Sequence, residues 1–124
     1  MRDVHIFVYG TLRDGEHAGR LLHDCERLGA AQVTGMLFDA GAFPAMILAG
    51  RGRVHGELWR CPPDAVARLD DYEGTDVGLF RRVGLRVDGV PCWTYVAGPA
   101  LASRLTPDRR IESGAWPPDA KGRR

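Results

Sequence analysis

The chain has 124 residues and a formal net charge of +1, with 44% hydrophobic and 27% charged residues. This length fits one domain, which we place at residues 1–116, ahead of a flexible tail at 117–124. The near-neutral charge provides no field that would attract nucleic acid, and no apolar run is long enough to span a membrane.

The first half of the chain predicts one helix and four strands. Val4–Tyr9 alternates in a way that is typical of a strand buried on both faces. In His17–Leu28, apolar residues recur every three or four positions, which predicts an amphipathic helix ended by Gly29. Three further strands are predicted over Gln32–Phe38, Ala45–Leu48 and Val54–Arg60.

The second half predicts a helix and a hairpin. Pro62 and Pro63 open the helix, which runs to about Tyr72 and ends before Gly74. Two β runs, Phe80–Val87 and Val90–Val96, are joined by Asp88-Gly89, a strong hairpin signal. Six or seven short strands and two helices indicate an α+β fold, and we expect the sheet to close into a small mixed β-barrel with flanking helices.

Two short segments carry the chemistry that we expect. The strand ending in Tyr9-Gly10-Thr11-Leu12 turns at a glycine, and such a turn exposes backbone N–H groups that bind carboxylates or oxyanions. The helix that ends at Glu73 places a carboxylate at the negative end of the helix dipole, beside Asp70 and Asp71, so we expect the pKa of Glu73 to be raised. Together the segments predict acid–base chemistry on an amino-acid-like substrate.

These segments belong to an ordered set of motifs. The set is Tyr9-Gly10-Thr11-Leu12-Arg13-Asp14-Gly15, Gly35-Met36-Leu37-Phe38, Phe43-Pro44-Ala45, Val54-His55-Gly56-Glu57-Leu58-Trp59, Leu69-Asp70-Asp71-Tyr72-Glu73-Gly74, Phe80-Arg81-Arg82-Val83 and Ile111-Glu112-Ser113-Gly114-Ala115-Trp116. In this order the set resembles the gamma-glutamylcyclotransferase-like superfamily, which includes gamma-glutamylamine cyclotransferases and plant AIG2-like proteins. The resemblance covers most of the chain.

The resemblance implies a cofactor-free and metal-free enzyme with the family's small mixed β-barrel. Its partner would be a small γ-glutamyl amine, amide or peptide, which it cyclises to 5-oxoproline with release of the free amine. By position, Glu73 is the general acid/base. The substrate-binding residues would be Tyr9, Gly10, Thr11, Leu12, Phe80 and Arg82. We expect the leaving group to contact the loops at 40–44 and 98–107.

The chain departs from the family pattern at two positions. Phe80 stands where many members carry tyrosine, and Ala115 stands where aspartate is common. The missing hydroxyl at Phe80 supports an alternative hypothesis, a catalytically silent binding protein for a γ-glutamyl or carboxylate ligand. A third hypothesis, an interaction module, has only the tail and scattered surface arginines in its favour.

Several side chains have two interpretations. Tyr9 could simply pack in the core, and Arg82 could either bridge the acidic cluster of the helix or lie exposed on its strand. Glu57 could be a second pocket carboxylate or a paired edge residue. The four histidines lack metal-ligand spacing. The three cysteines, Cys25, Cys61 and Cys92, have no CxxC spacing, so we predict free thiols in a cytoplasmic protein.

Overall fold

The structure is a computed structural model that describes residues 2–10 and 17–117. Its strands, in chain order, are β1 (Val4–Val8), β2 (Glu26–Thr34), β3 (Met36–Asp39), β4 (Pro44–Ile47), β5 (Arg53–Cys61), β6 (Phe80–Val87) and β7 (Val90–Ala97). Its α-helices are α1 (Ala65–Glu73) and α2 (Pro99–Ala102). Short 3-10 helices lie at His17–Leu22, Thr75–Val77 and Pro107–Arg109.

Five strands form one sheet in the order β2-β5-β1-β7-β6. Strands β1 and β7 are parallel, with Ile6 opposite Trp93, and the other neighbours in this sheet are antiparallel. Strands β3 and β4 form a separate two-stranded ribbon. The α+β class is therefore confirmed, but the closed barrel is wrong. Among the described strands, β2 and β6 remain the two edges of an open sheet because neither pairs with the other.

The central strand β1 divides the core into two clusters. Ile6 and Val8 pack in one cluster with Leu69 of α1, while Phe7 and Tyr9 pack in the other. These four side chains, three from β1 and one from the residue that follows it, are at most 6% exposed. The predicted burial of this strand on both faces is therefore confirmed. Burial of a side chain such as Leu69 contributes about 2 kcal/mol and fixes α1 against the sheet.

Helix α1 has the boundaries that its flanking residues predict. Two prolines precede it, and Gly74 ends it with φ 67°, a left-handed conformation that glycine adopts without a Cβ penalty. The backbone N–H of Gly74 donates to the carbonyl oxygens of Asp70 and Asp71. Glu73 is thus the last residue of a helix that is capped at its C-terminus and ends before Gly74, as predicted.

The predicted hairpin is also confirmed. Asp88 and Gly89 both have positive φ, 50° and 79°, as the tight two-residue turn requires. The turn sets the register from Val87 opposite Val90 to Phe80 opposite Ala97. The second half of the chain follows its sequence signals closely.

The helix predicted over His17–Leu28 is wrong in its second half. Only His17–Leu22 is helical, as a 3-10 helix, and the chain is already in strand β2 from Glu26. Strand β2 pairs with β5 from Glu26 to Thr34, with an irregularity between Arg27 and Gly29. The backbone hydrogen bonds to β5 therefore outweigh the local helical spacing.

The free-thiol prediction is wrong for two of the three cysteines. Cys25 and Cys61 form a disulfide with Cα atoms 4.4 Å apart, and Cys92 is a buried free thiol. Sequence spacing did not show this pair, because 36 residues separate its members and the fold brings them together. Of the tail predicted at 117–124, residues 118–124 lie outside the described residues. In the part of the chain that the structure describes, no helix has the length and apolarity to cross a membrane.

Candidate active site

A cavity of about 340 Å³ opens where strand β1 ends against the end of helix α1. Both segments that the sequence singled out contribute to its wall. The lining residues are Phe7, Val8, Tyr9, Gly10, Ala42, Phe43, Pro44, Tyr72, Glu73, Leu79, Phe80 and Tyr95. The volume suits a small ligand of amino-acid or dipeptide size.

Glu73 is the carboxylate in this wall. Burial raises the pKa of Glu73 to about 7. The predicted direction of the pKa shift is therefore confirmed, but its cause is desolvation, where the sequence had suggested the helix dipole and the two aspartates. A carboxyl group with a pKa near neutrality can both accept and return a proton at physiological pH.

Asp70 lies one turn before Glu73 and does not line the cavity. Its Oδ1 accepts a hydrogen bond of 2.9 Å from Nε of Arg82 and one of 2.7 Å from the hydroxyl of Tyr95. The guanidinium of Arg82 also lies 4.2 Å from the ring centroid of Trp93. Arg82 therefore joins helix α1 to the β6–β7 hairpin and, like Asp70, is not among the residues that line the cavity.

Sequence reasoning missed Tyr95, which both lines the cavity and holds Asp70. The signal was present, since the two-residue turn at Asp88-Gly89 implies a register in which Arg82 lies opposite Tyr95. Burial and the neighbouring Asp70 carboxylate raise the pKa of Tyr95 well above its usual value. The hydroxyl of Tyr95 therefore keeps its proton and acts as a donor.

Tyr9 lies with its ring in the core and in the cavity wall. Its hydroxyl donates to the carbonyl oxygen of Tyr95 at 2.6 Å and accepts from the backbone N–H of Met46 at 3.2 Å. Burial raises the pKa of Tyr9 far above its usual value. These bonds connect the end of β1 to β7 and β4, so Tyr9 contributes to the shape of the cavity and its hydroxyl is already engaged.

Gly10 follows Tyr9 at the cavity wall and has no space for a side chain. A Cβ atom there would lie 2.8 Å from Cγ of Pro44, closer than real Cβ contacts allow. The glycine therefore lets the turn after β1 approach the first residue of β4. Thr11 and Leu12, the other predicted donors of this turn, lie outside the described residues.

Phe80 is 6% exposed and lines the cavity. Its ring centroid lies 5.8 Å from that of Phe43, with the ring planes tilted by 55°. This is a favourable aromatic geometry. The structure brings Phe80 to the same cavity as Glu73, Gly10 and Tyr9.

Glu57 lies elsewhere. It is buried, its Oε2 forms a 3.1 Å ion pair with Nε of Arg27, and its Oε1 accepts a 3.1 Å hydrogen bond from Nε1 of Trp59. Of the two interpretations that the sequence left open, the pairing is observed, but Glu57 lies on the interior strand β5 and not at an edge of the sheet. Within residues 2–10 and 17–117, no group of three or more histidine, cysteine or acidic residues is placed to hold a metal ion.

Comparisons with known proteins agree on one family. The model of the family described as "Gamma-glutamyl cyclotransferase, AIG2-like" matches residues 6–118. The gamma-glutamylcyclotransferase family protein YtfP of Escherichia coli (strain K12) is 30% identical over 115 residues, which cover 91% of this chain and 96% of that protein. The gamma-glutamylaminecyclotransferase of Rattus norvegicus is 31% identical over 108 residues, 77% of this chain and 70% of that enzyme.

Solved structures show the same fold. The solution structure of ytfP from Escherichia coli matches with a TM-score of 0.72 at 30% identity, over 92% of this chain and 96% of that one. An uncharacterized protein from Pyrococcus horikoshii matches with a TM-score of 0.76 at 24% identity, over 91% and 89% of the two chains. The latter likeness concerns the fold alone.

Proposed function

Because the chain belongs to the AIG2-like gamma-glutamyl cyclotransferase family, whose model matches residues 6–118, we propose that it is a cyclotransferase of γ-glutamyl compounds. Its substrate is a γ-glutamyl amine, amide or small peptide, and its products are 5-oxoproline and a free amine. The observation that carries this proposal is the position of Glu73 in the cavity wall, with a pKa of about 7.

The chemistry explains why such a carboxyl group is useful. The substrate's α-amine is protonated at neutral pH, so it cannot attack the γ-carbonyl carbon until it loses a proton. Ionised Glu73 takes that proton, the amine nitrogen forms the new C–N bond, and a tetrahedral intermediate results. Protonated Glu73 then returns the proton to the leaving nitrogen as the old C–N bond breaks. The ring nitrogen gives up its second proton as it becomes the amide N–H of 5-oxoproline, and that proton leaves on the released amine or passes to water. A positioned acid/base of this kind contributes about 10²–10⁴-fold to the rate.

The remaining predicted residues take different parts in this proposal. Gly10 and Phe80 form the wall, and the ring of Tyr9 completes it. Thr11 and Leu12 remain proposed backbone donors to the substrate carboxylate or to the oxyanion, where each donor contributes about 3 kcal/mol. Arg82 remains a proposed substrate-binding residue, and its contact with Asp70 also supports a role in placing the end of α1.

The alternative, a catalytically silent binding protein, is not favoured. Such a protein would need a cavity but no acid/base, whereas Glu73 lies in the cavity in an environment suited to proton transfer.

A cytoplasmic location remains part of the proposal. The free cysteines that first suggested it no longer support it, since Cys25 and Cys61 are joined.

A screen of γ-glutamyl compounds tests the proposed function. The purified chain is incubated with γ-glutamyl amines, amides and dipeptides, and 5-oxoproline release is measured by chromatography. A parallel series with α-glutamyl isomers is the control, because their amine is bound at the α-carbonyl. Attack on the γ-carbonyl therefore cannot expel that amine or release free 5-oxoproline. Time-dependent 5-oxoproline release from γ-glutamyl compounds alone is expected. Stoichiometric binding without turnover would favour the binding protein.

A further inference from the structure

The disulfide between Cys25 and Cys61 joins two segments at the base of helix α1. Cys61 is the last residue of β5, and only residues 62–64 separate it from the start of α1. Cys25 directly precedes β2 and ends the 17–25 segment, which comprises the first 3-10 helix and the turn after it. The disulfide therefore attaches this segment to the strand that leads into the helix with Glu73 at its other end.

The same segment also contacts α1 without a covalent bond. Nε and Nη2 of Arg68 donate to the carbonyl oxygen of Leu21 at 3.1 and 2.9 Å, and Nη2 also pairs with Asp24. Leu22 is 2% exposed and packs in one cluster with Leu69 of α1. The ion pair is partly exposed, so it contributes little by itself. The disulfide thus adds a covalent attachment to a set of weaker contacts.

The cavity wall shares its packing with the 17–25 segment. The core cluster that contains Leu22 and Cys61 also contains three residues of the cavity wall, which are Val8, Phe80 and Tyr95. Gly10, from which the chain runs on to Cys25, lies in the wall as well. A segment that is held less firmly therefore allows this wall and helix α1 to open locally more often.

The sulfur atoms of the three cysteines differ in access. Cys25 is partly buried, whereas Cys61 is 0% exposed and Cys92, the free cysteine, is 7% exposed. An incoming thiolate therefore reaches Sγ of Cys25 more readily than the other two. In a reducing compartment, such as the cytoplasm proposed above, protein disulfides are mostly transient and are typical of redox sensing or catalysis.

We infer that Cys25–Cys61 is a thiol–disulfide exchange site whose redox state controls how firmly the 17–25 segment holds helix α1 and the cavity wall. The co-reactant is a dithiol. Its thiolate attacks Sγ of Cys25, so a mixed disulfide forms and Cys61 leaves as a thiolate. The second thiolate of the dithiol then attacks the dithiol's own sulfur in the mixed disulfide and releases Cys25. The protein pair is reduced by two electrons, the dithiol is oxidised to a disulfide, and its two protons end on the two cysteines.

Thiol mapping and hydrogen exchange test this site without any substrate. The folded, oxidised chain is incubated with dithiothreitol as the dithiol probe, and new thiols are alkylated and located by mass spectrometry. We expect Cys25 and Cys61 to become thiols under native conditions. The amides of residues 17–25 and of α1 should then exchange with deuterium at least about tenfold faster than in the oxidised chain.

Variants separate the disulfide from the other contacts. Cys25→Ser removes the accessible sulfur and should show the fast exchange of the reduced chain with or without dithiothreitol. Arg68→Gln removes the noncovalent contacts of its side chain with the 17–25 segment, so reduction should accelerate exchange more in this variant than in wild type. Cys92→Ala is the matched control, since Cys92 lies outside the pair, and it should keep the wild-type response.

The effect on the cavity rests on the proposed function and is measured separately. On a γ-glutamyl compound that releases 5-oxoproline, kcat/KM of wild type should fall at least about threefold on reduction and recover on reoxidation. Cys25→Ser should have the lower value and should not respond to dithiothreitol.

The outcomes separate the two proposals. A disulfide that dithiothreitol reduces only after the chain has unfolded overturns the inference, and so do equal exchange rates in the oxidised and reduced folded chains. An unchanged kcat/KM on a confirmed substrate overturns the control of the cavity and leaves the proposed function standing. If the γ-glutamyl screen is negative, the proposed function fails, and the thiol and exchange measurements still decide whether the redox state controls the hold on α1.

Discussion

The hydroxyl of Tyr95 donates a 2.7 Å hydrogen bond to Oδ1 of Asp70, one helical turn before Glu73. The same oxygen accepts from Nε of Arg82, so two residues of the β6–β7 hairpin hold the last turn of helix α1. Asp70 thus connects the element that carries the proposed acid/base to the sheet. Its contribution can be measured separately from catalysis.

Tyr95→Phe should lower the free energy of unfolding by about 1.5–3 kcal/mol, since it removes a hydrogen bond to a charged acceptor. Urea unfolding of Tyr95→Phe, Asp70→Asn and the double variant measures the coupling between the two side chains. We expect the two single effects to be non-additive by at least about 0.5 kcal/mol. Strictly additive effects would show that this hydrogen bond contributes nothing.

Gly10→Val should abolish binding of 5-oxoproline, because its Cβ would meet Pro44 Cγ at 2.8 Å and the branched side chain would crowd the cavity. Calorimetry on the folded variant measures the affinity. Gly84→Val is the control, since a Cβ at Gly84 meets nothing closer than 3.7 Å and this residue does not line the cavity. Unchanged affinity in folded Gly10→Val would place the ligand elsewhere.

Phe80→Tyr should be tolerated and should raise 5-oxoproline release or change the substrate preference. Phe80 lines the cavity together with Glu73, so a hydroxyl on its ring has a polar partner available in that carboxyl group or in bound substrate. Melting temperature and turnover are measured on the same sample. A buried hydroxyl without a partner costs about 1–3 kcal/mol. A lower melting temperature with unchanged turnover would therefore mean that Phe80 only packs the core.

The pH dependence of stability follows from the raised pKa of Glu73, from 4.5 to about 7. Between these values the folded chain keeps a proton that the unfolded chain has lost, so unfolding releases a proton and stability falls as pH rises. Glu73→Gln cannot ionise and should escape this loss. Urea unfolding should show wild type losing up to a few kcal/mol relative to Glu73→Gln between pH 4.5 and 7.

Below that window the difference in the free energy of unfolding between wild type and Glu73→Gln should stop changing with pH. Well below pH 4.5, Glu73 is protonated in both the folded and the unfolded chain, so the difference should be constant. Asp71→Asn is the control, because Asp71 is exposed on the same helix and does not line the cavity. A stability difference between wild type and Glu73→Gln that is independent of pH would show that the Glu73 pKa is ordinary.

The parts of the fold that could be predicted from sequence are those that nearby residues determine. Helix α1 is bounded by Pro62-Pro63 and Gly74, and the hairpin by Asp88-Gly89, so local backbone preferences specify both. Of the site residues, Glu73 is the last residue of α1, and Gly10 lies two residues beyond the end of β1. Their position at one cavity was expected from the family's motif order.

The parts that could not be predicted depend on contacts distant in sequence. Strand β2 forms by pairing with β5, and Cys25 meets Cys61 across 36 residues. Arg27, expected in a helix, instead reaches buried Glu57 at 3.1 Å. Closure into a barrel was expected because short strands commonly close, but the described sheet ends at β2 and β6. Local periodicity contains no information on such pairings.

The central claim is that Glu73 transfers the proton, and steady-state 5-oxoproline release by Glu73→Gln at pH 7 tests it most directly. The amide keeps the shape of the side chain but accepts no proton, so kcat should fall at least about 100-fold. Calorimetric affinity for 5-oxoproline should change little, and Asp71→Asn should retain the wild-type kcat. If Glu73→Gln retains most of the wild-type kcat on a confirmed substrate, Glu73 is not the acid/base.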